Sequence, residues 1–353
     1  MKLLVLPGDG IGPEITTATL EVLAAVDRRF GLGLSFEFRE IGFVAFDKFG
    51  TTLPDEVLER AKVCDGVILG PISHMDYPPR DKGGVNVSAA FRVKLDLFAN
   101  VRPARTRRGV PHRGTEMDLV IMREVTEGMY PDRNMVRGSG EFMPTEDIAM
   151  SLRKITAVGC ERIARASFEL ARRRRKRVTA VHKANNFILT DGLFLREVRK
   201  VAAEYADVTL DELIIDAAAA WLVRDASRFD VICATNFHGD ILSDLASELS
   251  GSLGLAGSIN AGDKLAAAQA QHGSAPDIAG KGVANPTSLV LSSAMLLSWL
   301  AERHARPDLA AAAVAIDAAV DTALADQRNR TRDLGGPLST SEFTETVVAA
   351  LVS

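Results

Sequence analysis

Short apolar runs alternate along this chain with longer stretches in which apolar residues recur every three or four positions, the pattern of strands joined by crossover helices. The short runs predict strands at residues 3–6, 35–39, 66–69, 98–102, 119–123, 177–182 and 231–234. The periodic stretches predict helices at 13–29, 55–62, 88–95, 145–174, 193–204, 210–223, 241–250, 287–304, 308–326 and 340–351. Loops fall at 76–84, 105–116, 131–144 and 257–285, and the last two are long enough to suggest function rather than mere connection. No internal repeat is visible. The alternation reads as an α/β fold.

Composition narrows the class. At 353 residues the chain is long for one core, so two domains or one large α/β unit is expected. Hydrophobic content of 47% and charged content of 25% are ordinary for a globular protein. A formal net charge of −4 gives no electrostatic case for nucleic acid or an anionic membrane. The one basic run, Arg172-Arg173-Arg174-Arg175-Lys176-Arg177, closes a helical pattern and reads as a solvated helix end. No run reaches the roughly 18 apolar residues that a membrane span requires. The chain opens directly on a strand pattern, without a signal peptide. Cys64, Cys160 and Cys233 are widely spaced and lie in or beside apolar segments, as buried thiols of a reducing compartment would. A cytoplasmic enzyme is the class these features fit.

Candidate chemistry centres on Asn236-Phe237-His238-Gly239-Asp240-Ile241-Leu242-Ser243-Asp244, which follows a buried-strand run. Asp240 and Asp244 stand four apart, so on a helix their carboxylates share a face and repel. A divalent cation such as Mg²⁺ would relieve that repulsion; a solvated first turn, where aspartate is favoured, is the plain alternative. Gly8-Asp9-Gly10-Ile11-Gly12-Pro13 follows the first strand but breaks the G-x-G-x-x-G spacing, so it reads as a site of close backbone approach to a ligand rather than a dinucleotide fingerprint. Arg92, Arg102 and Arg123 near predicted strand or helix ends are suited to bidentate carboxylate recognition, or equally to three surface ion pairs. Tyr130 is one of three tyrosines, and a lone tyrosine is usually a half-buried packing residue; Lys183 follows a strand, where a buried lysine would titrate low and an exposed one is the common case. No zinc-type spacing, G-x-S-x-G elbow or Walker A motif is present.

Six collinear segments give these residues a common reading: LPGDGIGPE (6–14), RVKLDLFANVRP (92–103), REVTEGMY (123–130), VHKAN (181–185), NFHGDILSD (236–244) and HGSAPDIAGKGVANP (272–286). In them the chain resembles the metal-dependent β-decarboxylating dehydrogenases acting on isopropylmalate, isocitrate, homoisocitrate and tartrate/D-malate. The resemblance implies an α/β, two-domain isopropylmalate-dehydrogenase-like fold with a mixed parallel/antiparallel central sheet, not a classical Rossmann fold. Residues 1–98 and 252–353 would form a larger cofactor-binding domain, and 99–251 a smaller one carrying substrate, metal and dimer-interface residues. Arg92, Arg102 and Arg123 would clamp the carboxylates of the malate core. Asp216, Asp240 and Asp244 would hold Mg²⁺ or Mn²⁺, Lys183 would help deprotonate the hydroxyl, and Tyr130 would protonate the enolate. Lys183 and Asp216 would reach in from a second subunit, which makes the enzyme a homodimer with shared active sites.

The segment His272-Gly273-Ser274-Ala275-Pro276-Asp277-Ile278 implies NAD, with Asp277 at the adenosine ribose where a carboxylate repels the 2′-phosphate of NADP, and Asn285 at the adenine. NADP-using relatives carry Lys-Tyr where this chain has Asp277-Ile278. Gln269-Ala270-Gln271 departs from the Glu-Pro that usually precedes the His-Gly. The helix before Arg92 chooses the substrate in this family: isopropylmalate enzymes line it with leucines, and isocitrate enzymes place Ser and then Asn. Here Asn86 and Ser88 carry the same two types in reverse, followed by Ala89-Ala90, where homoisocitrate enzymes use an arginine nearby. A polar pocket gains little from an isopropyl branch, so the substrate is expected to be a hydroxy acid with a polar substituent, isocitrate- or tartrate/malate-like. 3-Isopropylmalate oxidation, a non-catalytic regulatory subunit and a metal-free Rossmann dehydrogenase are the competing readings.

Overall fold

The computed structural model describes residues 1–135 and 137–352. In chain order the first elements are β1 (Lys2–Leu6), α1 (Gly12–Phe30), β2 (Ser35–Phe38), α2 (Gly42–Phe49), α3 (Asp55–Val63), β3 (Gly66–Leu69), α4 (Val87–Lys94), β4 (Ala99–Arg105) and β5 (Asp118–Glu124). Then come β6 (Glu141–Thr145), β7 (Ile148–Ser151), α5 (Ala157–Arg172), β8 (Arg177–His182), α6 (Thr190–Ala202), β9 (Thr209–Ile214), α7 (Ile215–Asp225), β10 (Val231–Ala234) and α8 (Asn236–Ser250). The chain ends with β11 (Ile259–Ala261), β12 (Ala266–Gln269), α9 (Thr287–His304), α10 (Pro307–Ala325) and α11 (Thr340–Val352). It divides into two compact units: Met1–Leu95 with Arg107–Pro111 and Gly251–Ser353, and Asp96–Thr106 with His112–Ser250.

In the first unit the strands run β2-β1-β3-β12-β11, parallel except for the antiparallel β11–β12 pair. Helix α9 packs on β12, α1 and α10 pack on α9 and on each other, and α11 packs on α1 and α10. The excursion at Arg107 belongs here because its guanidinium pairs with Asp317 and Asp321 of α10. In the second unit the order is β4-β5-β10-β8-β9, parallel except for the antiparallel β4–β5 pair. The strands of each unit are thus mixed in direction.

Residue alternation explains why the strands of the second unit read as unbroken apolar runs. Val120 and Met122, with Val231 and Cys233, face the helices α5 and α6, while Leu119 and Ile121, with Ile232 and Ala234, face α7 and α8. A sheet covered on both faces needs apolar side chains at every position. The basic run ending α5 meets acidic partners, Asp207 for Arg172 and Lys176, Asp118 and Asp230 for Arg174, and Asp211 for Arg177. It is a helix end held by ion pairs. The three cysteines are buried and free, with Cys233 pushed up to about 12 by burial.

Several element predictions fail for identifiable reasons. The helix predicted at 145–174 is a hairpin, β6–β7, followed by α5; its strands are exposed along their whole length, so no buried face imposes a readable period. The helix predicted at 210–223 starts as strand β9, where pairing with β8 overrides the helix propensity of Leu, Asp and Glu. The long loop at 257–285 contains β11 and β12, the latter almost all alanine and hence strand-poor by propensity. The loop at 131–144 runs into β6, and α2 lies where the sequence pattern predicts no element.

Candidate active site

Parallel strands of the second unit deliver their C-terminal ends, and the loops that follow, to one edge of the sheet. Arg123 is the last residue but one of β5, Lys183 follows β8, Asp216 follows β9, and the Asn236–Asp244 stretch follows β10. This is the edge at which open α/β sheets bind ligands.

Helix α8 begins at Asn236, five residues before the predicted start, so it has no acidic residue in its first turn. Asp240 and Asp244 therefore gain nothing from a first-turn dipole, and a solvated helix start does not explain them. Instead Asp240 gathers three partners. Its Oδ1 accepts from Arg102 Nη1 at 3.2 Å and from Arg123 Nη1, and its Oδ2 accepts from the Tyr130 hydroxyl. Arg102 Nη1 also reaches Asp244 Oδ1 at 3.1 Å and Ser243 Oγ at 2.7 Å. Five predicted residues, Arg102, Arg123, Tyr130, Asp240 and Asp244, thus stand within one hydrogen-bonded cluster.

Residues around this cluster explain the rest of the motif. Asn236 Oδ1 accepts from Arg123 Nε at 3.0 Å and Nη2 at 2.6 Å, a two-pronged hold, while its Nδ2 donates to the Glu127 carbonyl at 2.7 Å. A side chain at Gly239 would meet Arg123 Cβ at 2.8 Å, so this position is glycine to let the arginine pass. Burial, with the nearby charge of Arg102, pulls the Arg123 guanidinium down to about 10, still charged at neutral pH. Burial and the bond to Asp240 push the Tyr130 hydroxyl above its ordinary value, so it keeps its proton.

Lys183 and Asp216 form a separate ion pair, in which the lysine holds the Asp216 carboxyl below its usual range. The Lys183 side chain is 26% exposed. Its backbone N donates to Asp191 Oδ2 at 2.5 Å, and Asp191, fully buried, is paired with Arg153. Among the described residues no three His, Cys, Asp or Glu side chains are grouped to hold a metal ion. Asp240 and Asp244 offer the hard oxygen donors that a divalent cation prefers, so the chemistry fits while one chain leaves the donor set incomplete.

In the first unit, Asn86 caps α4, its Oδ1 accepting from Ala89 N at 3.0 Å. Ser88 Oγ accepts from Gln269 Nε2 at 2.6 Å, and Arg92 Nε donates to Asn260 Oδ1 at 3.0 Å. The glycine loop is packed closely against the chain itself. A side chain at Gly8 would strike the Pro71 carbonyl, one at Gly10 the Ser274 carbonyl, and one at Gly12 the Pro7 carbonyl. Ile11 N donates to Ser274 O at 2.8 Å, and the Ser274 and Ser73 hydroxyls lie 2.7 Å apart. His272 Nδ1 lies 2.9 Å from Gly273 O, while its Nε2 is buried without a hydrogen-bond partner among the described residues, and burial keeps the ring neutral. Ala275 adopts a left-handed conformation, and Asp277 is exposed beside Ile278. Asn285 Nδ2 donates to Asp333 Oδ2 at 3.0 Å, and its Oδ1 accepts from Thr287 N. Glu14 accepts from Gly282 N and Ala284 N and so anchors the same segment.

Sequence reasoning assigns no role to Asn236, Gly239, Asp191, Asp333, Asn260 or Gln269. Asn236 and Gly239 carry a signal beside the aspartate pair, and Gln269 one at a departure from the usual Glu.

Residues 2–347 match the isocitrate/isopropylmalate dehydrogenase family. The chain belongs to this family. Membership makes it a decarboxylating dehydrogenase acting on the CH–OH group of a hydroxy acid. The isocitrate/homoisocitrate dehydrogenase of Thermus thermophilus is 42% identical over 354 residues, covering 100% of this chain and 99% of that protein. The 3-isopropylmalate dehydrogenase of Archaeoglobus fulgidus is 40% identical over 351 residues, covering 99% of each. A crystal structure of isocitrate dehydrogenase from Methylococcus capsulatus superposes with a TM-score of 0.88 at 39% identity, covering 100% of this chain and 99% of that one. The mixed-sheet family fold read from the sequence is the one observed.

Proposed function

We propose that this protein oxidises and decarboxylates a 3-substituted (R)-malate with NAD and Mg²⁺ or Mn²⁺, and that the substituent is polar, as in isocitrate- or tartrate/malate-like substrates. The Arg102–Arg123–Tyr130–Asp240–Asp244 cluster carries the reading. It brings together two guanidiniums for carboxylates, two hard carboxylates for a cation and a phenol that keeps its proton. Overall identity does not choose the substrate, since relatives named for isocitrate/homoisocitrate and for isopropylmalate stand at 42% and 40%. The polar pair Asn86 and Ser88 on the substrate-selecting helix favours a hydrogen-bonding substituent.

In this reading the substrate carboxylates take the place of Asp240 as partners of Arg102 and Arg123, with Arg92 as the third clamp. Asp240 and Asp244 then serve the cation together with Asp216 of a second copy; among the described residues of one chain the three are not grouped. When bound, the cation supplies Lewis-acid stabilisation of charge on the substrate oxygen and NAD accepts the hydride. Lys183 of that second copy, released from Asp216 and neutral at that point, would help deprotonate the hydroxyl. Carbon dioxide leaves its bonding electrons behind as an enolate, and Tyr130 returns a proton to that carbon. His272, Gly273, Ser274, Ala275, Asp277, Ile278 and Asn285 are assigned to NAD; the orphaned His272 Nε2 and the exposed Asp277 support the assignment. Exposed Phe142, Met143, Ile148 and Met150 on the β6–β7 hairpin, with Ile188 and Leu189, support a homodimer. Free buried cysteines favour the cytoplasm.

The test is NAD reduction with Mn²⁺ across isopropylmalate, isocitrate, homoisocitrate, tartrate and D-malate, repeated with EDTA. Activity that survives EDTA would overturn the metal assignment. A preference for isopropylmalate of about a hundredfold would overturn the polar substituent. Silence across the panel, with binding to a paralogous chain, would mark a regulatory subunit.

A further inference from the structure

The polar side chains behind helix α4 form a row of hydrogen bonds that runs in one direction. Arg92 Nε donates to Asn260 Oδ1 at 3.0 Å, Asn260 Nδ2 donates to Gln269 Oε1 at 3.1 Å, and Gln269 Nε2 donates to Ser88 Oγ at 2.6 Å. Arginine fixes the direction, because a guanidinium has only donors. Asn260 must therefore turn its oxygen to Arg92 and its NH₂ to Gln269, and Gln269 in turn presents its own NH₂ to Ser88. Asn260 and Gln269 are 2% and 9% exposed, so a reversed amide would leave buried groups unpaired. The row ends at a hydroxyl. Among the described residues the Ser88 hydroxyl accepts this bond and donates to no side chain or carbonyl.

We propose that Gln269 is a specificity-determining positioning residue: by donating to Ser88 it turns that hydroxyl into an outward donor, which selects substrates whose substituent carries an acceptor oxygen over those with an alkyl branch. This rests on the reading above that α4 meets the substituent. The identity of residue 269 is decisive because a carboxylate there has no proton to give. In a Gln269→Glu variant the bond from Asn260 survives, but Ser88 has to donate inward to the new carboxylate. Its lone pairs then face the substituent, and an acceptor oxygen meets another acceptor.

The experiment measures kcat and KM for isocitrate and for isopropylmalate, with NAD and Mn²⁺, in the full-length protein and in Gln269→Glu, Ser88→Ala and the double variant. The ratio of kcat/KM for isocitrate to that for isopropylmalate should fall by about tenfold in Gln269→Glu, the scale of one misdirected hydrogen bond, with the change in KM rather than kcat. In the Ser88→Ala background the same substitution should move the ratio by less than about twofold. An equal fall in both backgrounds would show that the added charge acts without the hydroxyl, and would overturn the proposal. So would an unchanged ratio. Should Gln269→Glu fail to fold, Asn260→Asp replaces it: the new carboxylate still accepts from Arg92 but cannot donate to Gln269, so the amide is freed to turn and the ratio should fall in the same direction. A wild-type protein that oxidises no member of the panel would overturn the functional reading itself. An active wild type whose ratio neither variant moves would overturn only the role of Gln269.

Discussion

Two arginines assigned to the substrate are held in opposite ways. In the second unit, Arg123 is buried against a carboxylate, Asp240, with Asn236 gripping its other face. In the first, Arg92 is anchored through Nε by the neutral amide of Asn260, which is itself tied to Gln269. A carboxylate partner can be exchanged for a ligand's carboxylate, because the charge balance is preserved when one anion replaces the other. The neutral amide at the Arg92 Nε offers no anion to exchange there and sets direction instead. Charge pairing at one arginine therefore prepares a substitution of partners, and amide pairing at the other prepares an orientation.

The strongest way to break this contrast is Asp240→Asn. Loss of the exchangeable anion should lower kcat/KM on the order of 10³-fold and weaken Mn²⁺ binding while circular dichroism stays unchanged. The ligand-free protein should also lose about 1–2 kcal/mol, since Arg102 and Arg123 keep their burial without that countercharge. If turnover survives, the cluster is structural. Next comes Asn236→Ala, which keeps the carboxylate but removes the two-pronged hold on Arg123. Here kcat/KM should fall about 10–100-fold, and metal titrations should move far less than in Asp240→Asn.

How much of this is readable in the chain follows the same division. Asp240, Asp244 and Arg123 lie in compact motifs, and the strands before them are unbroken apolar runs, so both the residues and the edge that carries them are legible. The amide row is not. Ser88 and Gln269 are 181 positions apart and Arg92 and Asn260 are 168 apart, and neutral amides leave no periodicity or charge pattern to read. Strand β12 escapes a sequence reading because its alanines fit a covered strand packed on α9 yet carry helix propensity. Asp216 is found by motif, but its pairing with Lys183, apart from Asp240 and Asp244, is a fact of three dimensions.

Smaller effects sharpen the comparison within the first unit. Asn285→Ala removes the link to Asp333 and the bond to Thr287 N, and KM for NAD should rise about tenfold with kcat within about twofold. The smallest effect separates the two readings of Asn86. As a cap, Asn86→Ala should cost about 1 kcal/mol in thermal unfolding, and Asn86→Ser should restore it. If substrate preference shifts in Asn86→Ser while stability does not, its Nδ2 also meets the substituent.

The glycine loop carries a consequence for mutational tolerance. At Gly8, Gly10 and Gly12 the obstacle to any larger residue is a main-chain carbonyl, on Pro71, Ser274 and Pro7. A clash with a side chain can be relieved by a second substitution that trims it, but no substitution trims a carbonyl. Among the described residues no side chain can be trimmed to clear these carbonyls, so a library that randomises the three positions should recover glycine at each of them. Because Gly10 abuts Ser274, which is proposed to meet NAD, variants at Gly10 should raise KM for NAD before they lower kcat, far along the sequence from the lesion.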